Sequence, residues 1–208
     1  MRFRQVVLLV ALVGFVPVPA DAQDFGVMES AETINPGNFK LMANPILVFG
    51  KDGADNENGI ALGAGYGFTP NLDIEGKVAL YSGATFFGGN VEYWLTKAQP
   101  LDLSVIGGLH FLTGDETFST RGVDVTLLGS KHVGEKLEAY GALRVSFNKI
   151  TDDLFDFPGA DTSFTQVHVV PGIEYALSSD LDFLAEFGLG LNDDSSSYVS
   201  AGIAYYLR

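Results

Sequence analysis

The sequence predicts an all-β fold: a single antiparallel, up-and-down β-barrel of about ten strands, with about eight as the alternative count. Three observations point there. Apolar residues recur at every second position in segment after segment between Phe39 and Leu207, the period that puts alternate side chains on opposite faces of a strand. The links between those segments alternate between short turns and longer, mostly acidic loops. Glycine is abundant, 25 of 208 residues, and aromatic residues make up 12%, a mixture that suits many strands joined by tight turns better than helices.

The chain opens with Arg2 and Arg4, the apolar run Val6 to Phe15 and the small-x-small pattern Ala20-Asp21-Ala22, so residues 1–22 read as a secretory signal peptide. A transmembrane helix would need about 20 apolar residues, more than this run supplies. Residues 23–37 show no clean period and contain the breaker cluster Asn35-Pro36-Gly37; they read as an N-terminal lead-in, with the barrel over 38–208. With no cysteine, an exported chain must draw its stability from packing, closure or lipid rather than disulfides. A formal net charge of −14 argues against nucleic acid as a partner.

The first strand puts Phe39, Leu41, Ala43, Leu47 and Phe49 on one face against Lys40, Met42, Asn44, Ile46 and Val48, with Pro45 inside it. After a polar loop comes the clearest hairpin. Ile60, Leu62, Ala64, Tyr66 and Phe68 oppose Ala61, Gly63, Gly65 and Gly67, then Thr69-Pro70-Asn71 turns the chain. Leu72, Ile74, Gly76, Val78 and Leu80 return opposite Asp73, Glu75, Lys77, Ala79 and Tyr81. Phe87 to Leu95 and Leu101 to Phe111 form the next pair around a turn at 96–100. The pattern is weakest over Val123 to Leu128 and recovers in Leu137 to Phe147. The last three strands carry Val167 to Leu177, Leu181 to Leu191 and Val199 to Leu207 on their apolar faces. Short links at 69–71, 96–100, 134–136 and 178–180 alternate with longer ones at 50–58, 113–120, 149–163 and 192–196; only 82–84 breaks the rule. Pro45 and Pro171 each remove a ladder donor inside a strand and suggest a bulge there.

This alternation fits an apolar core with water outside, or lipid outside and a polar lumen within. Aromatic placement favours lipid. Tyr66, Phe68, Tyr93, Tyr175 and Tyr205 fall on the apolar face near the turn ends, and Phe49, Phe111 and Phe147 near the loop ends, as two membrane interfaces select. From about Phe39 to Leu207 the chain resembles small bacterial outer-membrane β-barrel proteins of the OmpA, OmpX and OmpW types, an architectural match without a diagnostic motif. That resemblance implies a transmembrane barrel in the Gram-negative outer membrane, monomeric, assembled by the barrel-assembly machinery and bathed in lipid and lipopolysaccharide, with lead-in and short turns periplasmic. The chain departs from it at the C-terminus, where Tyr205-Tyr206-Leu207-Arg208 stands in place of a final Phe.

The opposite face carries Lys40, Lys77 and Arg144 with Glu75, Glu92, Glu174 and Glu186. Enclosed charges need partners or water, so these read as an interior salt-bridge network; a narrow, cation-preferring pore is the alternative. Room for them comes from Gly63, Gly65, Gly67, Gly88, Gly188 and Gly190 on the same face. Catalysis has thin support: His110 with Asp115 and Glu116 is a loose counterpart of the omptin proteases, and His132 and His168 lack acid or Ser partners at motif spacing. No cofactor or metal is expected. Asp52, Asp55 and Glu57, and Asp152, Asp153 and Asp156, read as solvated loops, with divalent-cation binding as the alternative. The expectation is therefore a non-enzymatic outer-membrane barrel, structural or surface-interacting or a narrow pore. A soluble exported barrel that binds a ligand is the rival.

Overall fold

The computed structural model describes residues 26–51, 54–98, 101–114, 119–150 and 163–208. Ten strands run in chain order: β1 (Phe39–Val48), β2 (Glu57–Thr69), β3 (Leu72–Tyr81), β4 (Ala84–Ala98), β5 (Leu101–Gly114), β6 (Ser119–His132), β7 (Leu137–Ile150), β8 (Ser163–Ala176), β9 (Leu181–Gly190) and β10 (Tyr198–Leu207). Each pairs antiparallel with its sequence neighbours, and β1 meets β10 from Phe39↔Leu207 to Val48↔Tyr198, closing the barrel. Closure leaves no edge strand, which lets such a sheet sit in hydrocarbon with every ladder bond made internally.

The face assignments hold throughout. Leu41, Leu62, Phe87, Leu109, Leu127, Leu143, Leu189 and Ile203 point outward and are exposed, while Lys40, Asp73, Glu75, Glu92, Asp124, His168 and Glu186 are buried inside. Apolar outside and polar inside is the inverse of a water-soluble barrel. The aromatic residues follow the same parity. Tyr66, Phe68, Tyr93, Tyr175 and Tyr205 face outward toward the turn ends of their strands, with Tyr66 packed on Phe39 at 4.8 Å and on Phe68 at 5.0 Å between ring centroids. Phe111 and Phe147 are exposed toward the loop ends, where Phe49 lies 6.4 Å from Phe187.

The bulges expected at the two prolines do not form. On the β10 side of β1 the ladder passes from Ala43↔Ile203 to Ile46↔Ser200 in one register, and Pro45 stays paired with Ile60 on its other side. At Pro171 the β9 ladder passes from Val169↔Leu189 to Gly172↔Glu186 in one register, while Gly141↔Pro171 keeps the β7 side intact. Each proline turns its missing donor to one neighbour and its ring outward, and near Pro45 the freed carbonyl accepts from Ser200 Oγ at 2.9 Å. Register shifts occur instead beside turns, at Gly67/Thr69 and Trp94/Thr96, where they flip few side chains.

The interior is filled. One apolar cluster joins Val27, Ala31, Ile46, Val48, Phe86, Ile106, Leu112, Leu128, Val170 and Tyr198; a smaller one joins Met28, Met42, Leu184 and Ala204. The room above the inward glycines is taken mostly by other groups than charges. A Cβ on Gly63 would meet Met42, on Gly88 Phe86, on Gly188 Tyr198, and on Gly190 the backbone of Ser195. At Gly65 alone of the six it would meet an ionic side chain, Glu75, together with Ile34.

Candidate functional site

The residues just before β1 build the central feature. Residues 23–37 were expected as a periplasmic lead-in; they are described from Gly26 on, and from Gly26 to Ile34 the chain lies inside the barrel with every residue but Glu32 buried. The physical reason is an exchange of unmet needs. An isolated extended segment has free backbone donors, and the barrel wall has buried carboxylates and hydroxyls that lack water. Met28 N donates to Glu186 Oε2 at 2.7 Å, Ala31 N to Ser130 Oγ at 3.0 Å, and Ile34 N to Asp73 Oδ2 at 2.7 Å. In return Lys77 Nζ donates to Val27 O at 3.2 Å. Val27, Met28 and Ala31 then pack into the two apolar clusters.

The segment leaves the lumen at its turn end. Thr33 Oγ1 donates to Pro70 O, Gly37 N to Gly67 O at 2.9 Å, and Gly67 N to Asn38 O at 3.1 Å. Gly37 takes φ 84°, the left-handed conformation that costs glycine nothing, and so swings the chain from the lumen into β1. Gly67 is required for closeness: a Cβ there would lie 2.2 Å from Ile34 O and 2.4 Å from Asn35 O.

Around this segment the ionic side chains fall into two groups. Lys40 Nζ lies 2.7 Å from Glu75 Oε1 and 3.7 Å from Glu29, and Lys77 Nζ lies 3.5 Å from Glu75 and 3.8 Å from Glu29. Two ammonium and two carboxylate groups thus balance in a dry place, one of them brought by the N-terminal segment. Further toward the loops, Asp124 joins Arg144 at 3.4 Å and His110 at 2.7 Å, and His110 Nε2 meets Asn148 Oδ1 at 2.8 Å. A cavity of about 30 Å³ separates the groups, room for about one water, lined by Val27, Glu29, Lys77, Asn90, Asp124 and Arg144. At the loop end Ser195 and Ser196 are buried, and His168 Nε2 contacts Ser196 O at 3.0 Å.

Of the residues singled out from sequence, Lys40, Glu75 and Lys77 come together. Arg144 joins Asp124 rather than the glutamates across the lumen. Glu186 is held by hydrogen bonds from Met28 N, Tyr140 OH at 2.9 Å and Tyr198 OH at 3.1 Å. Among the described residues Glu92 and Glu174 form no ion pair; Glu92 stands beside Asp73 across β3 and β4, and Glu174 beside Glu138 across β7 and β8. Sequence reasoning missed Glu29, Asp73, Asp124, Ser130, Tyr140 and Tyr198. Parity on the inner face could have found the strand residues, and Val27-Met28 with Ile34 could have flagged a lead-in too apolar for water. Asp52, Asp115, Glu116, Asp152, Asp153 and Asp156 lie outside the described residues.

A closed sheet, apolar outward along the height of its strands and polar inward, defines the class of transmembrane β-barrels. More particularly, residues 6–206 match the family model of the outer membrane protein beta-barrel domain, and the chain belongs to that family. No curated protein matches the sequence. Among solved structures the chain is similar to an outer membrane channel from Pseudomonas putida F1, at 9% identity and a TM-score of 0.56, over 89% of this chain and 100% of that one. It is also similar to the N-terminal β-barrel domain of Pseudomonas aeruginosa OprF (14% identity, TM-score 0.42, 84% and 100% covered). A third is the attachment invasion locus protein Ail of Yersinia pestis (13% identity, TM-score 0.37, 83% and 99% covered). The first of these supports the barrel fold; identities this low carry no function across.

Proposed function

We propose that this protein is a non-enzymatic outer-membrane barrel with a closed lumen, serving a structural and surface-interaction role rather than conducting solutes. The observation that carries the reading is the N-terminal segment, whose residues from Gly26 to Ile34 occupy the lumen on three backbone-to-wall hydrogen bonds and the Glu29 ion pairs. Export by the 1–22 signal peptide, assembly by the barrel-assembly machinery, periplasmic turns and outward loops among lipopolysaccharide, and a monomeric state complete the proposal. The non-enzymatic part rests on His110, whose ring nitrogens are held inside the barrel by Asp124 and Asn148 and whose ring stacks on Phe86 at 5.3 Å, which supports a packing role for it.

Planar-bilayer recording tests this. The processed chain is expected to be silent, and a variant lacking residues 26–34 is expected to pass a small current favouring cations, because Asp73, Glu92, Glu174 and Glu186 then line the passage. A steady open-channel current from the intact protein would overturn the closed reading.

A further inference from the structure

At the turn end of the barrel three potential metal ligands from three separate elements converge. Glu32 comes from the N-terminal segment, His132 from the last position of β6, and Glu138 from the start of β7. Their donor atoms all lie within 4.8 Å of one another: His132 Nε2 is 2.9 Å from Glu32 Oε1 and 3.9 Å from Glu138 Oε2. The convergence is built by the backbone. His132 and Glu138 are directly paired across the β6–β7 ladder, and the Ala31 N to Ser130 Oγ hydrogen bond fixes the residue before Glu32 one strand step away.

The state of the Glu138 carboxylate is a second observation. Glu138 is only 5% exposed: its Oε2 stands 3.9 Å from His132 Nε2, Ser130 hydrogen-bonds the carboxylate, and the second oxygen, Oε1, has no hydrogen-bond partner. A buried carboxylate oxygen left bare is costly, and here Glu174 stands beside it in the ladder, adding like charge. The two lysines of the lumen are held at Glu75 and Glu29, so they do not relieve it.

We infer that Glu32, His132 and Glu138 form a binding site for a divalent transition-metal ion, which clamps the N-terminal segment to the β6–β7 hairpin at the turn-side mouth of the barrel. One imidazole and two carboxylates are the donor set that zinc and its neighbours accept, at about 2.0–2.2 Å, with further positions open to water. Donors around such an ion stand roughly 3.3 Å apart; the two His132 distances bracket that value, and with all three donors within 4.8 Å of one another the exposed side chains of His132 and Glu32 have only to draw inward to close the set. Magnesium, which holds its waters and prefers oxygen donors, suits the site poorly.

The test is calorimetric titration of the processed, metal-stripped protein in detergent with zinc chloride, repeated with magnesium present. One zinc per chain is expected, undiminished by magnesium, and each of His132→Asn, Glu32→Gln and Glu138→Gln, which removes a ligand outright, should weaken it by at least the about 10- to 100-fold that loss of an outer-shell partner costs. X-ray absorption at the zinc edge should show a nitrogen and oxygen shell that includes one imidazole. His132 and Glu32 are exposed, so their variants keep the fold, which retention of heat-modifiable gel mobility verifies. Zinc uptake that survives His132→Asn and Glu32→Gln unchanged, or no uptake by the folded parent, would overturn the site. The inference uses the placement of Glu32 but not the absence of conductance: a conducting barrel that still binds zinc through these residues would refute the closed lumen and keep the metal site.

Discussion

Lys40→Met probes the ionic centre of the lumen most directly. The side chain is 4% exposed and its ammonium bridges Glu75 at 2.7 Å and Glu29 at 3.7 Å. Methionine keeps most of the volume and removes the charge. Two carboxylates are then left to share Lys77, which stands 3.5 Å from one and 3.8 Å from the other. Breaking a buried pair from one side typically costs about 3–5 kcal/mol; because Lys77 remains, about 3 kcal/mol is expected, roughly a hundredfold in the unfolding constant. Urea unfolding of the barrel in lipid vesicles, followed by tryptophan fluorescence of Trp94, measures it. The double variant Lys40→Met with Glu75→Gln should recover about half of the loss, since Lys77 and Glu29 then balance while the amide at position 75 forgoes its own ion pair with Lys77. A cost below about 1 kcal/mol for Lys40→Met, or strict additivity in the double variant, would mean that water reaches these groups and that the lumen is not sealed around Glu29.

Two further perturbations test placement. Gly67→Ala puts a methyl group where Ile34 O and Asn35 O now stand, so the N-terminal segment must shift; an expected loss of about 1–3 kcal/mol in the same unfolding assay, with faster proteolysis near the N-terminus, checks it. Because the native chain has no thiol, Asp55→Cys in the exposed β1–β2 loop should react with an impermeant maleimide on intact cells and Asn71→Cys in the β2–β3 turn should not; the opposite pattern would invert the topology.

Sequence alone determined the wall of the barrel. Along a strand the side-chain period is two, so runs such as Ile60 to Phe68 and Leu72 to Leu80 declare their own faces, and a parity once set cannot drift without a bulge. Even the weak stretch from Val123 to Leu128 obeyed it within β6. Where local rules predicted irregularity, at Pro45 and Pro171, the fold absorbed it, because a closed ladder on the other side of each strand held the register. Only the tertiary structure decided what fills the lumen. Residues 26–34 have no period, since their environment is not a sheet face but a surrounding wall whose donors and acceptors come from β3, β6 and β9. Which of the inward acids Lys40, Lys77 and Arg144 would meet stayed open for the same reason: parity says that a charge points inward, while the height and azimuth at which it meets another are set by strand tilt and barrel closure, quantities that no local pattern encodes.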